Sequence, residues 1–303
     1  MKFSPKIRRT VLIFGVGGLV FTLLALIVTL YRSESRQQTL QELDHAITLT
    51  KKMLDEEEEK ALSLSLLLSQ ERPLLEAYKA HRRKELFDLI RSKIERLERL
   101  QGYHVDIQIH DARVRSYLRS WDYNASGEEL SSFRKGIVQV RRTHRPLVSV
   151  EVGKRLNIKA ISPMIDEGEY LGSIEVIEGF NDLERKMREA GYRLLILLNR
   201  RYLSVAWKLK SHPRIAGDFV LVNPGYVSEA VEALNSSFPP DPGDYGYFSG
   251  EGYAFGYFRL RDFEGRKLGY FVVALTSARS PLPAEEFHPV PVVTGDHERV
   301  RIR

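Results

Sequence analysis

The chain of 303 residues contains no cysteine. Disulfides, thiol catalysis and cysteine-ligated metal sites are excluded together, while the redox state of the compartment stays open. Metal-binding histidine patterns are also missing. There is no HExxH, and His104 and His110 lie six residues apart on a strand-like run. The chain has no GxSxG nucleophile turn, no P-loop and no GxGxxG, and its "GVGG" lies inside an apolar run where it serves helix packing. No catalytic residue, cofactor or metal is therefore expected. A charge field of one sign is lacking too. The net charge of +6 owes four units to Lys2, Lys6, Arg8 and Arg9, all ahead of the first acid, Glu34; the rest holds 42 bases against 40 acids, interspersed. That distribution offers no nucleic-acid-binding face. With 43% apolar and 28% charged residues, the composition is that of a globular protein.

Long apolar runs are absent with one exception. "TVLIFGVGGLVFTLLALIVTLY", Thr10 to Tyr31, has twenty-two residues and no charge. As a helix it spans about 33 Å, enough for a bilayer core of about 30 Å, whereas a cleaved signal peptide has an apolar core of about 7–15 residues. Basic residues before it stay in the cytoplasm and send the remainder across. The expected layout is a cytoplasmic stub over 1–9, a membrane helix over 10–31 and a periplasmic remainder, anchored once in a bacterial inner membrane.

No proline or glycine occurs between Arg32 and Ser69, which predicts a long stalk helix. Alternating steps of three and four pick out Leu40, Leu43, Ile47, Thr50, Leu54, Glu57, Ala61, Leu64 and Leu68, seven of the nine apolar. Such a stripe pairs with a second subunit, giving a homodimer, or packs on the protein's own sheets. Pro73 restarts the chain, and "LLEAYKAHRRKELFDLIRSKIERLERL" predicts two more helices ending at Gly102, so the helical region covers 32–100.

After residue 100 the pattern turns to strands. "HVDIQIHD" is the first, a helix is expected over 127–143, and "LVSVEV", "LNIKAISPM" and "LGSIEVIEG" follow. A helical piece, "NDLERKMREAG", then leads to a second round opening on "YRLLILLNR". The two rounds match at an offset of 97: Gly153, Glu167, Gly168, Leu171 and Gly172 against Gly250, Glu264, Gly265, Leu268 and Gly269. Glycine in the "EG" turn supplies positive φ, and glycine opening the last strand lets another backbone come close. The reading is a duplicated α+β unit with an antiparallel sheet, PAS-like in order. The units are placed at 101–180 and 181–277, with a disordered, proline-rich tail over 278–303.

The first unit, with "LSSFR", "EVG" at a strand end, a basic residue followed by proline on the next strand, and "GSIE" on the last, resembles the double Cache sensory domain of bacterial chemoreceptors, sensor kinases and cyclases. The match is good over about fifty residues and architectural over the rest. Lys159 stands where arginine is expected. The resemblance implies an N-terminal transmembrane helix, a long stalk helix and two tandem PAS-like Cache subdomains, the first, membrane-distal one binding ligand. Receptors of this family continue into another membrane helix and an output domain; neither follows here, so signalling is expected through a separate partner in the membrane. A ligand-free scaffold, or a receptor cut short of its output domain, stands as the alternative.

Strand alternation places Glu151, Lys159 and Glu175 on one face of the first sheet. Their counterparts at the offset of 97 are Phe248, Gly256 and Val272, apolar or small. A charged face in one unit and an apolar one in the other points to a pocket in the first. "YLRSWDYN" supplies Arg119, Trp121, Asp122 and Tyr123 as one wall, and Arg134 of "SSFR" adds a carboxylate-binding fork. A Glu–Lys–Glu ladder on a wet face accounts for the charges, though less well for Trp121. The ligand expected is a small polar metabolite bearing a carboxylate, an ammonium or both: an amino acid, amine or organic acid. Lys159 between Glu151 and Glu175 is expected to keep both ionised, which leaves no general acid.

Overall fold

The computed structural model describes residues 5–223, 225 and 228–276; the tail expected over 278–303 and the start of the stub lie outside the described residues. Helix α1 runs unbroken from Pro5 to Ser69, about 97 Å at 1.5 Å per residue. Its apolar part is long enough to cross a membrane and is wholly unburied from Leu19 to Tyr31. Past Arg32 the stripe takes over: Leu43, Ile47, Thr50, Glu57, Ala61 and Leu68 are buried. They bury against the protein's own sheets. Pro73 sits in the first turn of α2 (Arg72–Lys79), and α3 (Arg83–Gln101) ends on Gly102 at φ 63°, the left-handed conformation that glycine adopts without cost.

The first sheet has strands β1 (Asp106–Asp111), β2 (Ser116–Arg119), β3 (Leu147–Val152), β4 (Leu156–Asp166) and β5 (Glu169–Glu178), in the order β2-β1-β5-β4-β3. Helix α4 (Lys135–Thr143) covers part of one face. The helix predicted over 127–143 therefore starts eight residues late. Gly127, Glu128 and Leu130 are held by backbone hydrogen bonds to Ser116 and Val114, and Glu129 bridges Arg115, so a hairpin edge claims this stretch first. Helix α5 (Asn181–Glu189) leads to the second sheet: β6 (Arg193–Asn199), β7 (Arg214–Ile215), β8 (Phe219–Leu221), β9 (Tyr245–Gly250), β10 (Tyr253–Arg261) and β11 (Lys267–Thr276), ordered β7-β8-β6-β11-β10-β9. Helix α6 (Ser228–Ser237) lies between β8 and β9. Every strand pairing is antiparallel.

Three of the five repeat positions are structural equivalents, whereas Glu167, at φ 50° in a two-residue turn, is not matched by Glu264 in its longer loop. Gly168 and Gly265 turn with φ of 85° and 79°. Leu171–Gly172 and Leu268–Gly269 open the last strands, and a Cβ on either glycine would meet a neighbouring carbonyl oxygen, His110 O at 2.1 Å or Leu197 O at 1.8 Å. The pair Gly153 and Gly250 fails as well. The β3–β4 connection leaves three residues between Val152 and Leu156, whereas β9 and β10 join through Glu251 and Gly252 alone. This tighter turn shifts the register, so Gly250 answers Glu151 rather than Gly153.

Replacing Gly172 or Gly269 by alanine forces the paired strand away from its neighbour, and each is expected to destabilise by about 2–3 kcal/mol. Gly102→Ala, which meets open space, should cost only the backbone term of about 1 kcal/mol. Urea unfolding of the three variants checks the ranking.

Candidate ligand-binding site

One face of the first sheet carries Arg119 on β2, Gln108 and His110 on β1, Ser173, Glu175 and Ile177 on β5, Asn157, Lys159 and Ile161 on β4, and Ser149 and Glu151 on β3. The register pairs Gln108 with Arg119 and Glu175, Ile161 with Glu175, and Lys159 with Ile177 and Ser149. A cavity of about 620 Å³ lies over it, a size usual for small-molecule sites. Among the expected residues Arg119, Trp121, Arg134 and Lys159 line it. Trp121 is a half-exposed wall with the Arg119 guanidinium 6.0 Å from its ring centre.

Glu151 and Glu175 stand behind the lining. Glu175 is fully buried, bonded by the Arg134 guanidinium, with His110 Nε2 at 3.5 Å. Burial opposes its ionisation, but Arg134, His110 and Lys159 hold its carboxyl well below the usual range. His110 itself is pushed down by burial and stays neutral, its Nδ1 3.0 Å from Ser173 Oγ. Glu151 behaves oppositely. Burial pushes it up against the pull of Arg134, whose Nε is 3.8 Å away, and of Lys159. Glu151 is tucked beneath Gly136 of α4, where a Cβ would collide with its carboxylate.

Asp122 and Tyr123 do not line the cavity. Asp122 Oδ1 accepts from the backbone of Asn124 and Ala125, closing its own turn. Tyr123 packs edge-on to Phe87 of α3, with Arg83 over its ring. Arg134 holds Glu175; Glu128 pairs with Arg119 and lies 3.6 Å from Lys154. The cavity takes further walls from Asp106, Gln108, Lys154, Arg155, Asn157, Glu178 and Asp182, and from Lys208 beyond the second sheet's first strand. Alternation marks Gln108 and Asn157 in sequence; nothing in the sequence marks Lys208.

Lys159 is the exceptional member. It is 3% exposed, and among the described residues its ammonium makes no hydrogen bond or ion pair. Burial, with Arg134 beside it, drops its pKa to about 8 despite Glu175 and Glu151. Arg155 and Lys208 on the rim are likewise without an ion pair among the described residues.

The same face of the second sheet is closed. Across β11, Val272 faces Tyr257 where Glu175 faces Ile161, so β10 runs one residue short of the offset. Counterparts of Glu151, Lys159 and Glu175 are therefore Gly250, Phe255 and Val272, correcting Phe248 and Gly256. Gly256 lies on the opposite face, where a Cβ would come within 2.8 Å of Ile47 Cδ1 of α1. Phe238, Phe248, Phe255, Tyr257 and Tyr270 fill the space, with Phe248 stacked on Phe255 at 4.7 Å.

A long helix packed on two like sheets, the first with a polar cavity and the second filled, defines a tandem sensory module. The sequence profile described as a double sensory domain of two-component sensor kinases matches residues 36–217, and the chain belongs to this double Cache family. Solved structures with the same fold include the extracellular domain of the proposed histidine kinase vpHK1S-Z8 (12% identity, TM-score 0.52, covering 82% of this chain and 94% of that one). Another is a domain of a sensory box/GGDEF family protein from Vibrio parahaemolyticus (10% identity, TM-score 0.50, covering 81% and 98%). No curated protein matches the chain. The family is a sensory, ligand-binding one rather than a catalytic one.

A buried ammonium with a depressed pKa costs stability wherever it is charged: the unfolded chain outcompetes the fold for the proton up to the unfolded pKa of 10.5. Lys159→Met is expected to stabilise the ligand-free protein below pH 8, by up to about 3 kcal/mol, with the gain shrinking as pH rises from 8 to 10.5. Thermal melts between pH 6 and 10 test this.

Proposed function

We propose that the chain is a membrane-anchored, extracytoplasmic sensor whose first Cache unit binds a small polar metabolite with an anionic group on Lys159. The observation that carries this is the ammonium of Lys159, buried, unpaired among the described residues and lining the cavity. A charge held at such cost in a low-dielectric wall is what an incoming carboxylate compensates. The remaining charges favour an acid over a simple amine. Arg155 and Lys208 on the rim lack ion-pair partners among the described residues, whereas Glu128 and Glu175 are occupied by arginines. Arg119, Trp121 and Arg134 complete the wall; Asp122 and Tyr123 hold the loop that presents it. Glu151 and Glu175 orient Arg134 from behind.

The unit boundaries at 101–180 and 181–277 are part of this reading, supported by the sheets lying within them. So is a periplasmic location behind a single inner-membrane span, supported by the long unburied apolar part of α1 and by the likeness to an extracellular domain. The signal passes along α1 to a kinase or chemoreceptor component in the same membrane. Dimerisation, where it occurs, uses a face of α1 other than the buried stripe.

The test is a thermal-shift screen of the purified full chain in detergent against organic acids, amino acids, amines and purines. A ligand at a hundred times its dissociation constant adds about 2.7 kcal/mol. An acid or amino acid whose effect disappears in Lys159→Met supports the proposal. A ligand unaffected by that change places the site elsewhere, and silence across the panel favours a scaffold.

A further inference from the structure

Glu57 interrupts the apolar stripe of α1, yet it is only 1% exposed. Around it lie Lys60 on the same helix, Lys186 and Asp182 on α5, Glu178 at the end of β5, and Tyr103 between α3 and β1. Lys186 Nζ is 2.6 Å from Glu57 Oε1, and Lys60 bonds Glu57 while lying 3.5 Å from Glu178 and 3.6 Å from Asp182. Tyr103 donates to Glu178 Oε2 at 2.7 Å, and Asn157 Nδ2 of β4 donates to the Glu178 carbonyl. Oxygens of Glu57, Glu178 and Asp182 all fall within 4.8 Å of one another. Asp182 pairs outward with Arg185 at 3.5 Å and Lys186 pairs with Glu57, so the nearly sealed carboxyls of Glu57 and Glu178 share Lys60 between them. A proton on the pair relieves the repulsion between the two.

The location gives that proton a consequence. Glu178, Gly179, Asn181 and Asp182 line the ligand cavity. The Glu178 carboxyl meanwhile lies with Glu57 of α1, so one short segment touches the cavity and grips the stalk.

We propose a further function, proton sensing: Glu57 and Glu178 share a single proton, and this carboxyl pair is the joint through which the cavity wall holds the stalk helix. Burial and the Glu57 carboxylate push Glu178 up to about 8, against Tyr103 and Lys60. Glu57, though opposed by burial, is held ionised by Lys186 and Lys60 and is the pair's acceptor. Raising pH through about 8 places two adjacent negative charges in the joint and loosens it. The stability contributed by the protonated carboxyl is complete below its unfolded pKa of 4.5 and is lost as pH rises through about 8. What the joint transmits rests on the sensor reading above; the shared proton does not.

The experiment uses the full chain in detergent, labelled with ¹³C-glutamate, and follows the protonated-carboxyl stretch by infrared spectroscopy from pH 5 to 10. The expected result is a band that bleaches with a midpoint near 8, is absent in Glu178→Gln, and shifts to lower pH in Glu57→Gln. Because the chain has no cysteine, spin labels at Lys52→Cys and Glu169→Cys can report α1 against β5. Their distance should change by about 1–2 Å between pH 6 and 9 in the parent and stay fixed in Glu178→Gln. A band that survives Glu178→Gln, or never bleaches, overturns the shared proton. A label distance indifferent to a bleaching band overturns the joint. Failure of the ligand screen with both pH results intact counts against the sensor reading alone.

Discussion

Both sheets lean on one helix. Leu43 and Ile47 of α1 press on β10, where Gly256 leaves room for the isoleucine, and one turn later Thr50 reaches Met187 of α5. Farther along, Ala61 and Leu68 join the apolar cluster that includes β4 and β5, and Ser65 bonds Ser162 at 2.7 Å. Each sheet needs an apolar cover on that side, and α1 supplies it to both. The helix that begins with the long apolar run is thus also a core element of the two units, and a shift in either sheet costs packing along it.

That arrangement leaves the opposite faces free to differ. The second unit spends its face on an aromatic cluster closed by α6, which rewards stability. The first keeps a polar face with buried Arg134, Glu175, Glu151, His110 and Lys159. Buried charges of this kind weaken a fold unless paired, and here one of them has no partner among the described residues. The duplication explains how the cost is tolerated: the filled unit and the shared helix hold the architecture while its twin keeps the buried charges.

Much of the candidate site was legible by alternation. Period-two arithmetic put Glu151, Lys159 and Glu175 on one face, and the sheet registers agree. It could not tell which of them meets the cavity, because that depends on α4 and the 120s loop folding over the sheet. The same loop misled in the other direction. Trp121 lines the cavity, but neighbouring Asp122 and Tyr123 serve the turn and α3, a split invisible in a stretch where seven of eight residues are polar or aromatic. Transfer of positions by a fixed offset worked at the glycine turns and failed on β9 and β10, where a hairpin two residues long replaced one of three.

The amino-acid sequence by itself determined the long apolar run, the stalk stripe, the duplicated α+β unit and the family, because each rests on local periodicity or on glycines whose role is set by their own backbone. Only the tertiary structure decided that the stripe packs on the protein's own sheets, that Lys208 from the second unit reaches the first unit's cavity, and that Glu57 meets Glu178 across 121 residues of chain. These are meetings between distant segments, fixed by how two sheets and one helix share apolar surface. No spacing along the chain encodes them.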